Sequence, residues 1–183
     1  HTLVEKPLDV SLERAEELVR IAEASKLCFG VVLQHRFRPG AVRLRVLLAS
    51  GALGELQAGM LQVPWWRSQA GYYAQAGRGT RERDGGGVLL TQAIHSLDLF
   101  RSFVGVRKVV AAQVITTALH SMETEDFVSA LLTLGNGAPG NLMATTAMYP
   151  GRTESIELVC TQANVSLVGG GLYVHYHDGR TEV

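Results

Sequence analysis

An α+β fold, with an open, mostly antiparallel sheet carrying helices on one face, is what three features of this sequence predict. The first is a strand–helix–strand opening, HTLVEKPLDV, SLERAEELVRIAEASK and CFGVVLQHRF, which reads as the last unit of a parallel sheet. The second is a change of character after Gly105, where VRKVVAAQVITTAL, EDFVSALLTLGNGAPGNLMATTAMYP and ESIELVCTQANVSLVGGGLYVHYHDG read as consecutive strands. Turn signals at Asn136-Gly137, Gly169 to Gly171 and Asp178-Gly179 part them and fit an antiparallel meander. The third is a long loop over about 65–86 followed by a largely apolar helix over about 87–104.

Each element has a local reason. Ser11 is the expected N-cap of the first helix, Glu13 sits in its first turn, and Leu12, Ala15, Leu18, Val19 and Ala22 form one apolar face. A second helix runs from Pro39 to about Ser50 and is ended by Gly51; LGELQAGMLQVPWW then starts a strand near Glu55. Neither internal repeats nor low-complexity tracts interrupt the chain.

Composition narrows the function classes. A chain of 183 residues with 19% charged side chains is long enough to bury a sizeable core. Seventeen basic and 17 acidic residues leave no net field, which argues against nucleic acid and against an anionic membrane surface and favours a small ligand. Apolar runs are too short for a bilayer, and the two cysteines, Cys28 and Cys160, lie in apolar runs as small buried hydrophobes do. A cytoplasmic protein is the expectation.

Chemistry concentrates in two places. Within GGGVLLTQAIHSLDLF, a helix from Gly87 would place Thr91, His95, Asp98 and Ser102 in an arc of about 60° on an otherwise apolar surface. Buried polar groups are costly unless satisfied, so this stripe fits either a ligand cleft or a hydrogen-bonded core histidine. Gly85 to Gly87 allow close approach at the helix N-terminus, where free N–H groups suit an oxygen-rich or anionic partner. His95 and Asp98 are also spaced for shared metal ligation, but no third ligand is marked, and His175 and His177 read as a solvated edge. No metal site is therefore expected. In the loop, Trp65, Trp66, Arg67, Tyr72, Tyr73 and Arg78 combine flat aromatic faces with guanidinium forks, a set suited to a sugar or to anchoring the loop on the domain.

VEKPL at Val4 to Leu8 with the amphipathic helix behind it, then GGGVLLTQAIHSLDL, resemble the two signature segments of the glucose–fructose oxidoreductase, inositol dehydrogenase and rhizopine-catabolism (Gfo/Idh/MocA) oxidoreductases. WWRSQAGYY and METEDFVSALLTLGNGAPGNLMATTAMYPG are also similar to members acting on sugars or polyols. The resemblance implies that residues 1–34 are the tail of a Rossmann NAD(P)-binding domain and residues 35–183 a substrate-binding and oligomerisation domain, with the chain cut short at both ends. NAD or NADP would be bound mainly by a preceding part, since no G-x-G-x-x-G follows an opening strand.

Carried over from the family, Lys6 and His95 would be catalytic, with Glu5, Lys6 and Pro7 touching the cofactor. Thr91 stands where many members have an aspartate, and threonine cannot accept a proton at neutral pH. Asp98 could orient His95 from one turn later. Trp66, Arg67, Tyr72, Tyr73, Arg78 and Gln92 would bind substrate. The implied activity is an NAD(P)-dependent dehydrogenase on a sugar, polyol or related compound, inactive as this chain alone and forming a homo-oligomer through the open sheet. The alternative is a sugar-binding or dimerisation domain without redox chemistry.

Overall fold

A computed structural model describes all residues, His1–Val183. Two sheets are present. Strands β1 (Thr2–Val4) and β2 (Phe29–Val31) pair in parallel and are joined by helix α1 (Leu12–Ser25). Ser11 caps α1 as expected, its hydroxyl accepting from the Arg14 amide at 3.4 Å. The expected apolar face of α1 forms but finds no cover: no α1 residue is buried, and Leu12, Leu18, Val19 and Ile21 are exposed. Cys28 corrects the expectation of a buried thiol, because it lies exposed beside this bare surface, whereas Cys160 is buried in the main core.

The main sheet has eight strands: β3 (Leu56–Pro64), β4 (Val106–Ile115), β5 (Phe127–Leu134), β6 (Pro139–Thr145), β7 (Ser155–Cys160), β8 (Ala163–Val168), β9 (Gly171–Tyr176) and β10 (Thr181–Glu182). Their spatial order is β10-β9-β8-β7-β3-β6-β5-β4. The simple meander is thus corrected: β3 separates β6 from β7, running parallel to the first and antiparallel to the second. The sheet remains open and mostly antiparallel.

Alternation decides which face is covered. Leu61, Val63, Val128, Leu132, Leu142, Ile156, Leu158, Val165 and Val174 point to one side and are buried. Helix α2 (Pro39–Ala49) brings Ala41, Leu44 and Leu47 against them, and α5 (Ile94–Val104) brings Leu99, Phe100 and Val104. A Cβ on Gly59 would meet Phe100 Cε2 at 3.3 Å and Leu134 Cδ1 at 3.1 Å, so a glycine in β3 lets α5 lie close on the sheet. No helix is long and apolar enough to cross a membrane.

The expected single helix over 87–104 is two. Helix α3 (Arg81–Asp84) precedes α4 (Val88–Thr91), and the backbone breaks at Gln92 and Ala93 before α5 begins. Both Gln92 N and Ala93 N donate to the Val88 carbonyl, a crowding that ends α4 and re-aims the chain.

Candidate active site

Lys6 leaves the end of β1 and reaches the break between α4 and α5, where Nζ donates to the Thr91 backbone carbonyl at 2.9 Å. Burial lowers the Lys6 pKa below the ordinary lysine value; Glu5 opposes this and Arg78 adds to it. Four residues after Thr91, His95 buries Nδ1 with no hydrogen-bond partner, whereas Nε2 is neither enclosed nor bonded. Burial lowers the His95 pKa below the ordinary imidazole value, the Lys6 cation lowers it further, and Glu5 and Asp98 pull the other way. These shifts favour the neutral ring, and Nε2 is left open, which suits a proton acceptor.

The polar stripe is reorganised by the helix break. Thr91 Oγ1 donates to the Gly87 carbonyl at 2.8 Å, so its hydroxyl is tied to its own helix and its backbone meets Lys6. Asp98 does not bond His95: it takes Arg36 Nε and Nη2, each at 2.6 Å. Ser102 Oγ donates to the Leu99 carbonyl. The amides after the glycines meet an anion from this same chain. Glu125 accepts from Gly87 N at 3.0 Å and Leu89 N at 3.4 Å through its carboxylate and from Val88 N through its carbonyl. A Cβ on Gly87 would fall 1.9 Å from the Glu125 carbonyl oxygen, so only glycine permits this approach.

The loop splits into two groups. Ser68 starts a one-turn π-helix at Gln69–Tyr73. Tyr72 OH receives Arg78 Nη1 at 2.6 Å and Gln92 Nε2, while the Arg78 guanidinium lies over the Tyr72 ring at 4.4 Å. Arg67 sits 5.6 Å from the same ring and 5.4 Å from that of Trp65. Arg78, Gln92 and Arg67 therefore gather around Tyr72, and of these Arg78 is near enough for its charge to act on Lys6. Tyr73 departs from the expected substrate set: it is 7% exposed and its hydroxyl meets Thr146 Oγ1 at 2.7 Å, so it anchors the loop to the domain. Trp66 packs edge-on against Tyr149, its ring 5.5 Å away, and lines an open hollow with Trp65, Arg67, Arg152 and Glu154. Glu5, expected with Lys6 and Pro7 at the cofactor, is exposed next to Lys6. His175 and His177 are exposed, on β9 and just beyond it.

Two buried histidines had no spacing to reveal them. His120 Nδ1 lies 2.7 Å from Asp126 Oδ2 and its Nε2 lies 2.7 Å from the Arg67 carbonyl oxygen, and both its side chain and that of Asp126 are 0% exposed. This pair ties the loop carrying Trp66 and Arg67 to the start of β5. His35 lies on a 3₁₀ turn, Gln34–Phe37, with its ring centroid 5.1 Å from that of His95.

Residues 41–166 match the GFO/IDH/MocA C-terminal domain. The chain belongs to that family. Its Gfo/Idh/MocA relatives include an uncharacterised oxidoreductase of Synechocystis sp., 26% identical over 96% of this chain and 50% of the relative. A D-xylose dehydrogenase of Paenarthrobacter nicotinovorans is 30% identical over 63% of this chain and 30% of the relative. Among solved structures, the WlbA dehydrogenase from Bordetella pertussis in complex with NADH and UDP-GlcNAcA superposes with TM-score 0.84 at 29% identity, covering 93% of this chain and 52% of that one. Levoglucosan dehydrogenase in complex with NADH and levoglucosan shares the fold at TM-score 0.88 and 20% identity, covering all of this chain and 54% of that one. The chain spans about half the length, or less, of the curated relatives it matches.

Proposed function

We propose that this chain is the substrate-binding and proton-transfer part of an NAD(P)-dependent dehydrogenase acting on a sugar, polyol or related hydroxyl compound. The observation that carries the reading is the meeting of Lys6 from β1 with the break before His95, which sets a cation and an unblocked neutral imidazole side by side. Lys6 at the end of a parallel strand, half-buried and with lowered pKa, fits the nicotinamide end of a dinucleotide; the phosphate-binding turn is not part of this chain. A nicotinamide held beside Lys6 would supply the hydride acceptor for oxidation of a carbinol carbon.

In this reading His95 Nε2 accepts the hydroxyl proton as that hydride leaves, so the alcohol becomes a ketone and the proton stays on the imidazole. Lys6 stabilises the negative charge that develops on the oxygen. Tyr72, Arg78 and Gln92 hold the remaining hydroxyls, and Trp66 with Arg67 receives the far end of the substrate. His95→Ala in the intact protein should lower kcat by about 10²- to 10⁴-fold, the usual share of general base catalysis; steady-state turnover with a sugar panel checks this, and unchanged kcat removes His95 from the mechanism.

Residues 1–34 and 35–183 are proposed as parts of two domains, the first continuing a nucleotide-binding sheet. The bare apolar surface of Val4, Leu18, Ile21 and Phe29 supports that division. The uncovered face of the main sheet, with Ala111, Leu131, Met143, Val159 and Tyr173, supports pairing of two copies; a monomeric mass by light scattering would remove that part. Two free cysteines and no disulfide suit a reducing compartment such as the cytoplasm. A second reading, sugar binding without hydride transfer, is favoured by Thr91, whose hydroxyl is engaged by Gly87 and offers no proton relay. Calorimetric sugar binding with no exchange of label between sugar and cofactor in the intact protein would select it.

A further inference from the structure

Behind His95 stand three side chains, His35 and Arg38 from one turn before α2 and Glu154 from far along the chain. His35 is 6% exposed, and its ring plane is tilted 37° to that of His95. Arg38 Nη2 lies 2.6 Å from His35 Nε2, and Arg38 Nη1 donates to Glu154 Oε1 at 2.9 Å. A guanidinium has donors only, so His35 Nε2 must accept, and the one proton of this ring sits on Nδ1. The Glu154 side chain is only 16% exposed, so the carboxylate that aims Arg38 is itself held in place.

We propose that Glu154, Arg38 and His35 form a positioning arm for His95: Glu154 aims Arg38, Arg38 occupies the one nitrogen through which His35 could gain a second proton, and the neutral His35 ring seats the imidazole of His95. The role rests on His95 being the proton acceptor. A cationic His35 at this distance would oppose the charge that His95 must gain, because like charges disfavour each other's ionised form. The groups facing the two rings are Lys6 and Glu5 from the end of β1, Asp98 on α5, Arg38 before α2 and Glu154 before β7. Among them Asp98 is held by Arg36, and burial followed by the Arg38 cation pushes the His35 pKa down to about 4. Near neutrality, then, proton uptake falls to His95 alone.

Nitrogen-15 NMR of the histidine rings tests the arm without reference to turnover. In the wild-type protein His35 should appear as the Nδ1–H tautomer and resist protonation well below the ordinary histidine range. Arg38→Leu should raise its proton affinity at least tenfold, and Arg38→Lys, which keeps a donor-only cation, should restore most of the depression. An Nε2–H tautomer in the wild type, or an unmoved midpoint in Arg38→Leu, overturns the proposal. In the intact protein, His35→Ala should lower kcat about tenfold with KM within twofold, and His35→Phe, which keeps a flat uncharged ring, should recover much of it. A His35→Ala enzyme with unchanged kcat also overturns the proposal. Failure of the dehydrogenase reading looks different: His95→Ala would then leave turnover intact while the ring titrations behave as described.

Discussion

The two ends of this molecule treat apolar side chains in opposite ways. In the eight-stranded sheet, alternation is resolved: Val128, Ala130, Leu132 and Leu134 face the core beneath the helices and are buried while Ser129 and Leu131 face out. In the strand–helix–strand unit at the N-terminus the same kind of pattern is left standing in water, with Ile21 59% and Leu18 38% exposed. Identical amphipathic logic therefore yields a finished core in one place and an unfilled surface in the other. The proposed active site lies on the seam, since Lys6 comes from the unfinished side and His95 from the finished one.

The largest effect expected from this contrast is at Phe100, which is fully buried against β3. Phe100→Ala should lower unfolding free energy by about 3–5 kcal/mol, the usual range for such a cavity, as read by urea denaturation. A loss below 1 kcal/mol would mean that the core is looser than its burial says.

A smaller effect belongs to the seam. His35 has a folded pKa of about 4 against an ordinary 6.5, so between those values the unfolded chain binds more protons than the folded one. Stability should fall as pH drops from 6.5 toward 4 and level off below that. The loss is on the order of 2 kcal/mol, taking about 1.4 kcal/mol per pH unit and discounting for partial solvent access. His35→Phe should flatten this part of the stability–pH curve, and an equally steep curve would assign the loss to other groups.

The smallest effect is expected on the bare face. Ile21→Ser should change the stability of this chain by less than about 0.5 kcal/mol, as for most exposed positions. If it costs as much as a core substitution, the α1 surface is covered in solution and the contrast between the two ends disappears.

What could be read from the sequence was what is decided locally. Ser11 as a cap, Pro39 opening α2, Gly51 ending it and the glycine turns between strands all follow from residues within a few positions of one another. The meeting of Lys6 with the segment before His95 was signalled in the sequence only by the family resemblance, which compresses long-range information into short motifs. The insertion of β3 between β6 and β7 was not legible, because no local pattern records which distant strand a run will pair with. The same holds for Arg36 with Asp98 and for Arg38 with Glu154, whose partners lie 62 and 116 residues apart. The break at Gln92 was hidden for another reason: neither glycine nor proline marks it, and a continuous helix fits the residues equally well by propensity.

The placement of β3 has a consequence for how the chain is made. Its neighbour on one side, β6, is encoded about eighty residues later, and its neighbour on the other, β7, about a hundred later. At roughly 5–20 residues per second, translation leaves this strand without either partner for on the order of ten seconds. During that interval LQAGMLQVP offers two unsatisfied backbone edges to any other nascent strand. The strand at the centre of the mature sheet thus waits longest for its partners, and its sequence spends that time as a target for holding chaperones and for misassembly between ribosomes.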